Sequence, residues 1–369
     1  MTSKSRSDTP AVPAPRRRTP NRPAGRVLAL AVALIVLAVL PAGAAAHGPV
    51  APVASSYLAK VNAASPGLEA KVIDGDQGMW LRVSPAHTVE ILDYRGAPYL
   101  RFSPSGVEVN LSSAMYYLNQ TPVPAIPPAN LSRATPPRWQ RVSAGHAYLW
   151  HDGRLHALAT VALLPGATRI GTWRIPVVLD GRASAISGGL WHAGNPSLVW
   201  FWPIAVLLLC LLAGWRARVP RLDRTLAQGV ALLALLAIAV SAVGRGLYGR
   251  PSVSVPQVME MAVVLAFVAW RLWRLLLARP RPGYFSYFAV AFVALWEGAA
   301  LIPTLLYGFV LIGVPGFAAR TAAVLCLGCG LGLLLLAPRV GEQAQSSPPD
   351  AELARALEGE DDDFSKSLA

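Results

Sequence analysis

The chain is poor in charge. Only 14% of its 369 residues are Asp, Glu, Lys or Arg, against about 25% in an ordinary soluble domain. That excludes a single water-soluble globule. With 54% apolar residues, a chain too polar to build a core is excluded as well. Cysteine is scarce: Cys210, Cys326 and Cys329 all sit in apolar segments, so no disulfide framework supports the polar part. Lysine is limited to Lys4, Lys60, Lys71 and Lys366, and every other basic residue is arginine. Together with the abundance of Ala, Pro, Leu and Gly, this resembles the coding bias of a GC-rich genome, and a bacterial source is the expectation. Enzyme fingerprints are also missing: no Gly-rich phosphate loop follows a strand, no Gly-x-Ser-x-Gly elbow occurs, and no Ser/His/Asp nucleophile set can be placed. The expectation is a protein that is not an enzyme. No fixed-period repeat is present.

The formal charge of +13 is segmented rather than spread over one face. Residues 1–26 carry Lys4 and six arginines against Asp8, while the stretch from Pro338 carries eight acids against Arg339, Arg355 and Lys366. A nucleic-acid partner needs a basic face on a folded domain, and that footprint is missing. The expected partner is the lipid bilayer.

Four regions follow from the pattern. Residues 1–46 read as a signal peptide: an Arg-rich start to Arg26, an apolar run Val27–Leu40, then Ala44 and Ala46 at small-x-small spacing. Cleavage after Ala46 leaves His47 at the new N-terminus; an uncleaved anchor is the alternative. Residues 47–197 form the long polar block. Strand-like runs recur at Leu68–Ile73, Met79–Val83, Thr88–Asp93, Tyr99–Phe102, Gly106–Asn110, Ala147–Trp150, Leu155–Leu163, Thr172–Leu179 and Ala185–Trp191. Turn signals such as Asp74-Gly75, Asp152-Gly153 and Asp180-Gly181 separate them, which predicts an antiparallel all-β sandwich. Residues 198–337 hold five apolar segments, near 198–215, 225–244, 257–278, 285–311 and 316–337. Each approaches the roughly 20 residues a membrane helix needs, so a five-helix transmembrane α-bundle is expected. Residues 338–369 read as a disordered acidic tail.

Orientation follows from arginine. Arg216, Arg218, Arg221 and Arg224 lie after the first segment, and Arg271, Arg274, Arg279 and Arg281 after the third. The connection between the second and third has Arg245 and Arg250 only. By the positive-inside rule the β-domain is outside and the C-terminus cytoplasmic, in a multi-pass protein of the bacterial plasma membrane.

All six histidines fall in the polar block: His47, His87, His146, His151, His156 and His192. The densest group is His146-Ala-Tyr-Leu-Trp-His151-Asp152-Gly-Arg154-Leu-His156. On a strand, His146 and His151 point to opposite faces. Asp152-Gly153 reads as a hairpin turn that brings His151 and His156 together. Two imidazoles with Asp152 beside them suit a divalent transition metal; the alternative is a structural hairpin with its histidines bonded to backbone. No spacing matches a zinc finger or a zincin helix. A freed His47 adds two nitrogens from one residue, the amine and the ring, and a second imidazole completes the T-shaped copper arrangement called the histidine brace. Copper is therefore the expected cofactor, with His47, His151, His156, His146 and Asp152 as candidate ligands.

A leader ending Ala-Ala-Ala before His47-Gly48 resembles the exported copper carriers of the CopC type, small β-sandwiches whose mature chains begin with histidine. The run Trp173–Gly188, with Asp180-Gly181 before Ile186-Ser187-Gly188, is similar to their closing strands. The resemblance implies an Ig/cupredoxin-like sandwich, a copper donor or acceptor protein as partner, and a membrane part analogous to the CopD-type partner. Arg182 stands where that pattern has a ligand histidine, the usual run after the first histidine is absent, and the membrane part has no histidine. The layout also resembles a family of uncharacterised bacterial membrane proteins with one exported β-domain and five helices. The run Trp150-His151-Asp152-Gly153-Arg154-Leu155-His156 is the expected signature of that family.

Ionisable groups in membrane segments are candidates because they are costly there. Glu260, flanked by Met259 and Met261, Glu297, and Arg320 all fall in the outer half on this topology, where Arg320 is expected to neutralise Glu297 or Glu260. The thioethers are soft copper(I) donors. Cys326 and Cys329 share one helix face; they read as copper(I) ligands or, with Gly328, Gly330 and Gly332, as a helix-packing face. Two functions stand side by side: a copper-handling envelope protein, and a non-catalytic interaction or assembly protein with structural histidines and another envelope protein as partner.

Overall fold

The computed structural model describes residues 52–120, 125–156, 168–217, 219–277 and 284–345. The expected leader, His47, most of the strand expected at Leu155–Leu163, and the end of the acidic tail lie outside them.

A β-rich region comes first. β1 (Ala54–Ser55) and β2 (Tyr57–Ala63) lead into β3 (Leu68–Ile73), β4 (Gly78–Val83), β5 (Val89–Leu92), β6 (Pro98–Ser103) and β7 (Gly106–Asn110). A short helix, α1 (Ala114–Leu118), precedes β8 (Trp139–Ser143) and β9 (Ala147–His151), and the hairpin β10 (Arg169–Leu179) and β11 (Arg182–His192) closes the region. Seven strands form one antiparallel sheet in the order β2-β11-β10-β5-β6-β7-β8, and three form a second in the order β3-β4-β9.

Period-two alternation explains the layers. In β10, Trp173, Ile175 and Val177 are buried while Arg174 and Pro176 between them are exposed. In β4, Met79, Leu81 and Val83 point inward, and Trp80 turns outward, where Lys71 and Arg82 cover it. Side chains from both sheets fill a single core: Met79, Leu81 and Trp150 from the smaller, Ile91, Leu100, Phe102, Ile175 and Ile186 from the larger. Each such aliphatic or aromatic side chain contributes roughly 1.5–3 kcal/mol on burial.

Apolar helices follow: α2 (Trp202–Ala217), α3 (Pro220–Gly246), α4 (Val255–Leu276), α5 (Tyr284–Leu306) and α6 (Gly316–Gln345). Four of them, α3 to α6, are long and apolar enough to cross a membrane. The first expected span differs: α2 has 16 residues, entered through a 3-10 turn at Leu198–Phe201. The expected boundary at 337 falls inside α6, which continues through Pro338 to Gln345; Arg339 on that extension donates to the buried Asp223 of α3 at 3.4 Å. Helices α3, α5 and α6 share a core rich in alanine, and small residues let them approach, Gly298 lying against Leu327 and Gly330 against Leu295. Helix α4 is nearly all on the outside.

The two parts are stitched together at one end. β1 pairs with β12 (Phe309–Val310), a short strand between α5 and α6, and Leu311 N donates to Val53 O at 2.7 Å. From the α3–α4 connection, Arg250 forms a two-pronged ion pair with Asp74, which sits on the turn between β3 and β4. The connections α3–α4 and α5–α6 therefore both meet the β-region.

Trimming the shared core tests this packing. Ile175→Ala is expected to cost about 2–5 kcal/mol, read by tryptophan fluorescence during guanidinium unfolding of the detergent-solubilised protein. A change under about 1 kcal/mol would be too small for a packed core site.

Candidate functional site

The site is assembled by one buried carboxylate. Asp152, which follows β9, is fully buried. Its Oδ1 accepts from the backbone N of Arg154 at 3.1 Å and from Arg154 Nε at 2.8 Å; its Oδ2 accepts from Arg154 Nη2 at 2.7 Å and from Trp150 Nε1 at 3.0 Å. The backbone acceptance caps a 3-10 turn at Gly153–Leu155. Tyr94 covers the same turn: its hydroxyl accepts from Gly153 N at 2.8 Å and its ring lies under the Arg154 guanidinium. A Cβ at 153 would stand 2.8 Å from that hydroxyl, so a side chain there would displace Tyr94. Burial first, then the Asp152 charge, raises the Tyr94 hydroxyl above the usual tyrosine range.

This turn brings the two histidines together, and most of the strand expected after it lies outside the described residues. His151 is the last residue of β9 and His156 the C-cap of the turn. Their Nε2 atoms stand 3.3 Å apart and their ring centroids 4.8 Å, so the ring tips lean toward each other. Each Nδ1 is engaged on the β3–β4 turn. His151 Nδ1 lies 2.9 Å from the Gln77 carbonyl oxygen, and His156 Nδ1 lies 3.0 Å from Asp76 Oδ2. Asp76 is itself buried and its Oδ1 accepts from Gln77 Nε2. A carbonyl and a carboxylate accept hydrogen bonds, so both Nδ1 atoms carry protons and, in the neutral rings, both Nε2 atoms present lone pairs. The close Nε2–Nε2 contact is met by a proton shared between the rings or by a bound cation. Fixing Nδ1 through a carboxylate or carbonyl is how metal-ligating histidines are oriented.

The other expected site residues are placed as follows. Asp152 spends its oxygens on Trp150 and Arg154, so it shapes the turn instead of facing a metal. His146 lies just before β9, at the end opposite His151, and lines an open groove with Glu69, Arg82 and Ser84. His47 is outside the described residues. Near the CopC-like run, His87 Nδ1 meets Asp180 Oδ2 at 2.7 Å. That carboxylate is held below its usual range by the Thr88 backbone N–H and then by His87. Asp180 and Arg182 sit at the end of the β10–β11 hairpin away from His192, whose neighbour Tyr57 approaches the β3–β4 turn. The resemblance thus falls on a different place from the histidine pair.

In the helices, Glu297 is buried and accepts from Ser241 Oγ at 2.6 Å and from Arg245 Nη1 at 3.1 Å. Arg245 Nη2 also donates to the exposed Glu260 at 3.0 Å. The neutralising cation is Arg245, not the expected Arg320. Arg320 donates to the carbonyls of Thr304, Tyr307 and Gly308, groups that the end of a helix leaves without intrahelical partners. Met259 is exposed and Met261 packs on Gly246, so they do not converge. Cys326 and Cys329 are both fully buried, in the helical core. Among the described residues, no group of three or more His, Cys, Asp or Glu side chains converges on one point.

Asp76, Gln77 and Tyr94 were not singled out in the sequence, and Arg245 was read there for orientation alone. Asp76 follows the recognised Asp74-Gly75 turn, the one local signal that an acceptor pair stood there. Compared with protein-family models, with curated proteins and with solved structures, the chain has no significant match.

Removing the Arg154 charge isolates a buried carboxylate. Arg154→Met should destabilise the β-region by about 3–5 kcal/mol, measured as a shift of the guanidinium unfolding midpoint. The same variant folding at wild-type stability would contradict the role given to Asp152.

Proposed function

We propose that the protein binds a divalent transition metal on the exported face of a bacterial plasma membrane, through Nε2 of His151 and His156. One observation carries this reading: both imidazoles have their Nδ1 committed to acceptors on a neighbouring turn, and their Nε2 atoms face each other at 3.3 Å. Two nitrogens about 2.0–2.1 Å from one ion at a tetrahedral angle stand about 3.3 Å apart. Zinc fits this spacing as it is. Copper(II) in a tetragonal site needs the two nitrogens slightly closer, and remains the expected ion because nitrogen donors favour it.

His47 supplies the further donors. Ser55 lies against Gly75, on the turn that holds both histidines, and His47 precedes Ser55 by eight residues. An extended chain of that length spans up to about 27 Å, so a freed His47 amine and ring can reach the pair. The copper-handling role, with metal passed to or from an envelope protein, rests on this set.

Orientation follows from the stitched end. Two helix connections meet the β-region, and Arg216, Arg224, Arg271 and Arg274 sit at the other ends of their helices. This supports an outside β-domain under the positive-inside rule, with α2 completing a five-helix bundle. The shared core of the two sheets supports a sandwich of the Ig/cupredoxin-like kind.

The test is titration of the full detergent-solubilised chain, cleaved before His47, with copper(II) and separately with zinc. One-to-one binding is expected, lost in His151→Ala and in His156→Ala, and weakened when an alanine precedes His47. Asp76→Asn should weaken it about 10–100-fold by removing the carboxylate behind His156. Binding unaffected by either alanine substitution would overturn the proposal and favour an interaction protein with structural histidines.

A further inference from the structure

The acceptors that orient the histidine pair lie on a turn held from the membrane side. Asp74 to Gln77 connect β3 and β4. Asp76 offers its carboxylate to His156 and Gln77 its carbonyl to His151. Two residues earlier, Asp74 takes both prongs of Arg250, Nε to Oδ1 at 2.6 Å and Nη2 to Oδ2. Asp74 has φ of +58°, a left-handed conformation that costs most side chains energy and that Asp and Asn tolerate best. The Arg250 pair is well placed to hold it there: the Asp74 side chain is only 12% exposed.

Arg250 stands on a braced support. Its backbone N donates to Ser252 O at 3.2 Å. A capping box of Ser254 and Gln257 starts α4, and Gln257 Nε2 ties back to Tyr248 O at 3.1 Å. At the other end of the same connection, Arg245 is anchored to Glu297 and Glu260.

We infer that Arg250, from the connection between two membrane helices, is a positioning residue for the metal pair. It fixes the turn whose carboxylate and carbonyl hold the two imidazoles. The site is then completed by the membrane part, and by reciprocity metal binding outside tightens the β-domain on the α3–α4 connection. This rests on the metal-binding reading above.

The experiment measures copper(II) and zinc affinity, by chelator competition, for the full detergent-solubilised chain and four variants, the fourth being Arg250→Lys. Asp74→Asn keeps a residue that tolerates the left-handed turn and removes the charge. Arg250→Met removes the clamp, and the third variant combines both. Each single change is expected to weaken metal binding about tenfold, at the low end for groups behind the ligands. The double change should add little, since both remove one interaction. Arg250→Lys should recover part of the loss, which a general loosening of the fold would not reproduce. Thermal unfolding of the metal-free variants identifies any that fail to fold, and Asp74→Asn decides the matter if Arg250→Met does. Wild-type affinity in Asp74→Asn would overturn the inference while leaving the metal site standing. Absence of metal binding in the unaltered chain would overturn the metal reading itself and the inference with it.

Discussion

The Asp152 carboxylate is the constraint on which the candidate site depends. Buried, it must be compensated, because an unpaired charge there would cost several kcal/mol. Trp150, Arg154 and the backbone N–H of Arg154 provide that compensation. Meeting it forces the chain to turn immediately after β9. The turn leaves His151 and His156 side by side. The Trp-His-Asp-Gly-Arg-x-His run is therefore a structural unit in which three side chains satisfy one another so that two imidazoles converge. Gly153 belongs to it because a side chain there would displace Tyr94.

Much of the layout was legible in the sequence because it depends on local periodicity. Alternation over Leu68–Ile73 and Gly106–Asn110 gave those strands at their observed limits. Apolar runs of membrane length gave the four long helices. The closeness of His151 and His156 followed from their spacing around Asp152-Gly153. What stayed hidden depends on long-range contacts. Asp76 and Gln77 reach the histidines across more than 70 positions of chain. β1 is a two-residue strand whose partner lies between the last two helices, so no alternation could mark it. The sequence placed Arg320 inside a membrane segment and Arg245 in a connection, so Arg320 was the expected partner of the acids. Only the end of α5, with its open carbonyls, determines which of them is taken up by backbone.

The junction between the parts gives these contacts one sense. The β3–β4 turn carries Asp74 toward Arg250 and Asp76 toward His156, with Gly75 between them in the left-handed region. Its carbonyl accepts from Ala59 N, so the turn is also fixed to β2. The histidine pair takes its support from separate stretches of chain, Asp76 and Gln77 on this turn and Asp152 with Arg154 after β9. The β10–β11 turn stands apart from it: there Asp180 pairs with His87.

The most direct measurement is electron paramagnetic resonance of the full chain loaded with one equivalent of copper(II), with pulsed detection of remote imidazole nitrogens. The account predicts coupling from at least two histidine rings, reduced by one ring in His151→Ala and in His156→Ala. A copper spectrum without imidazole coupling, or one unchanged in the double variant, would contradict it.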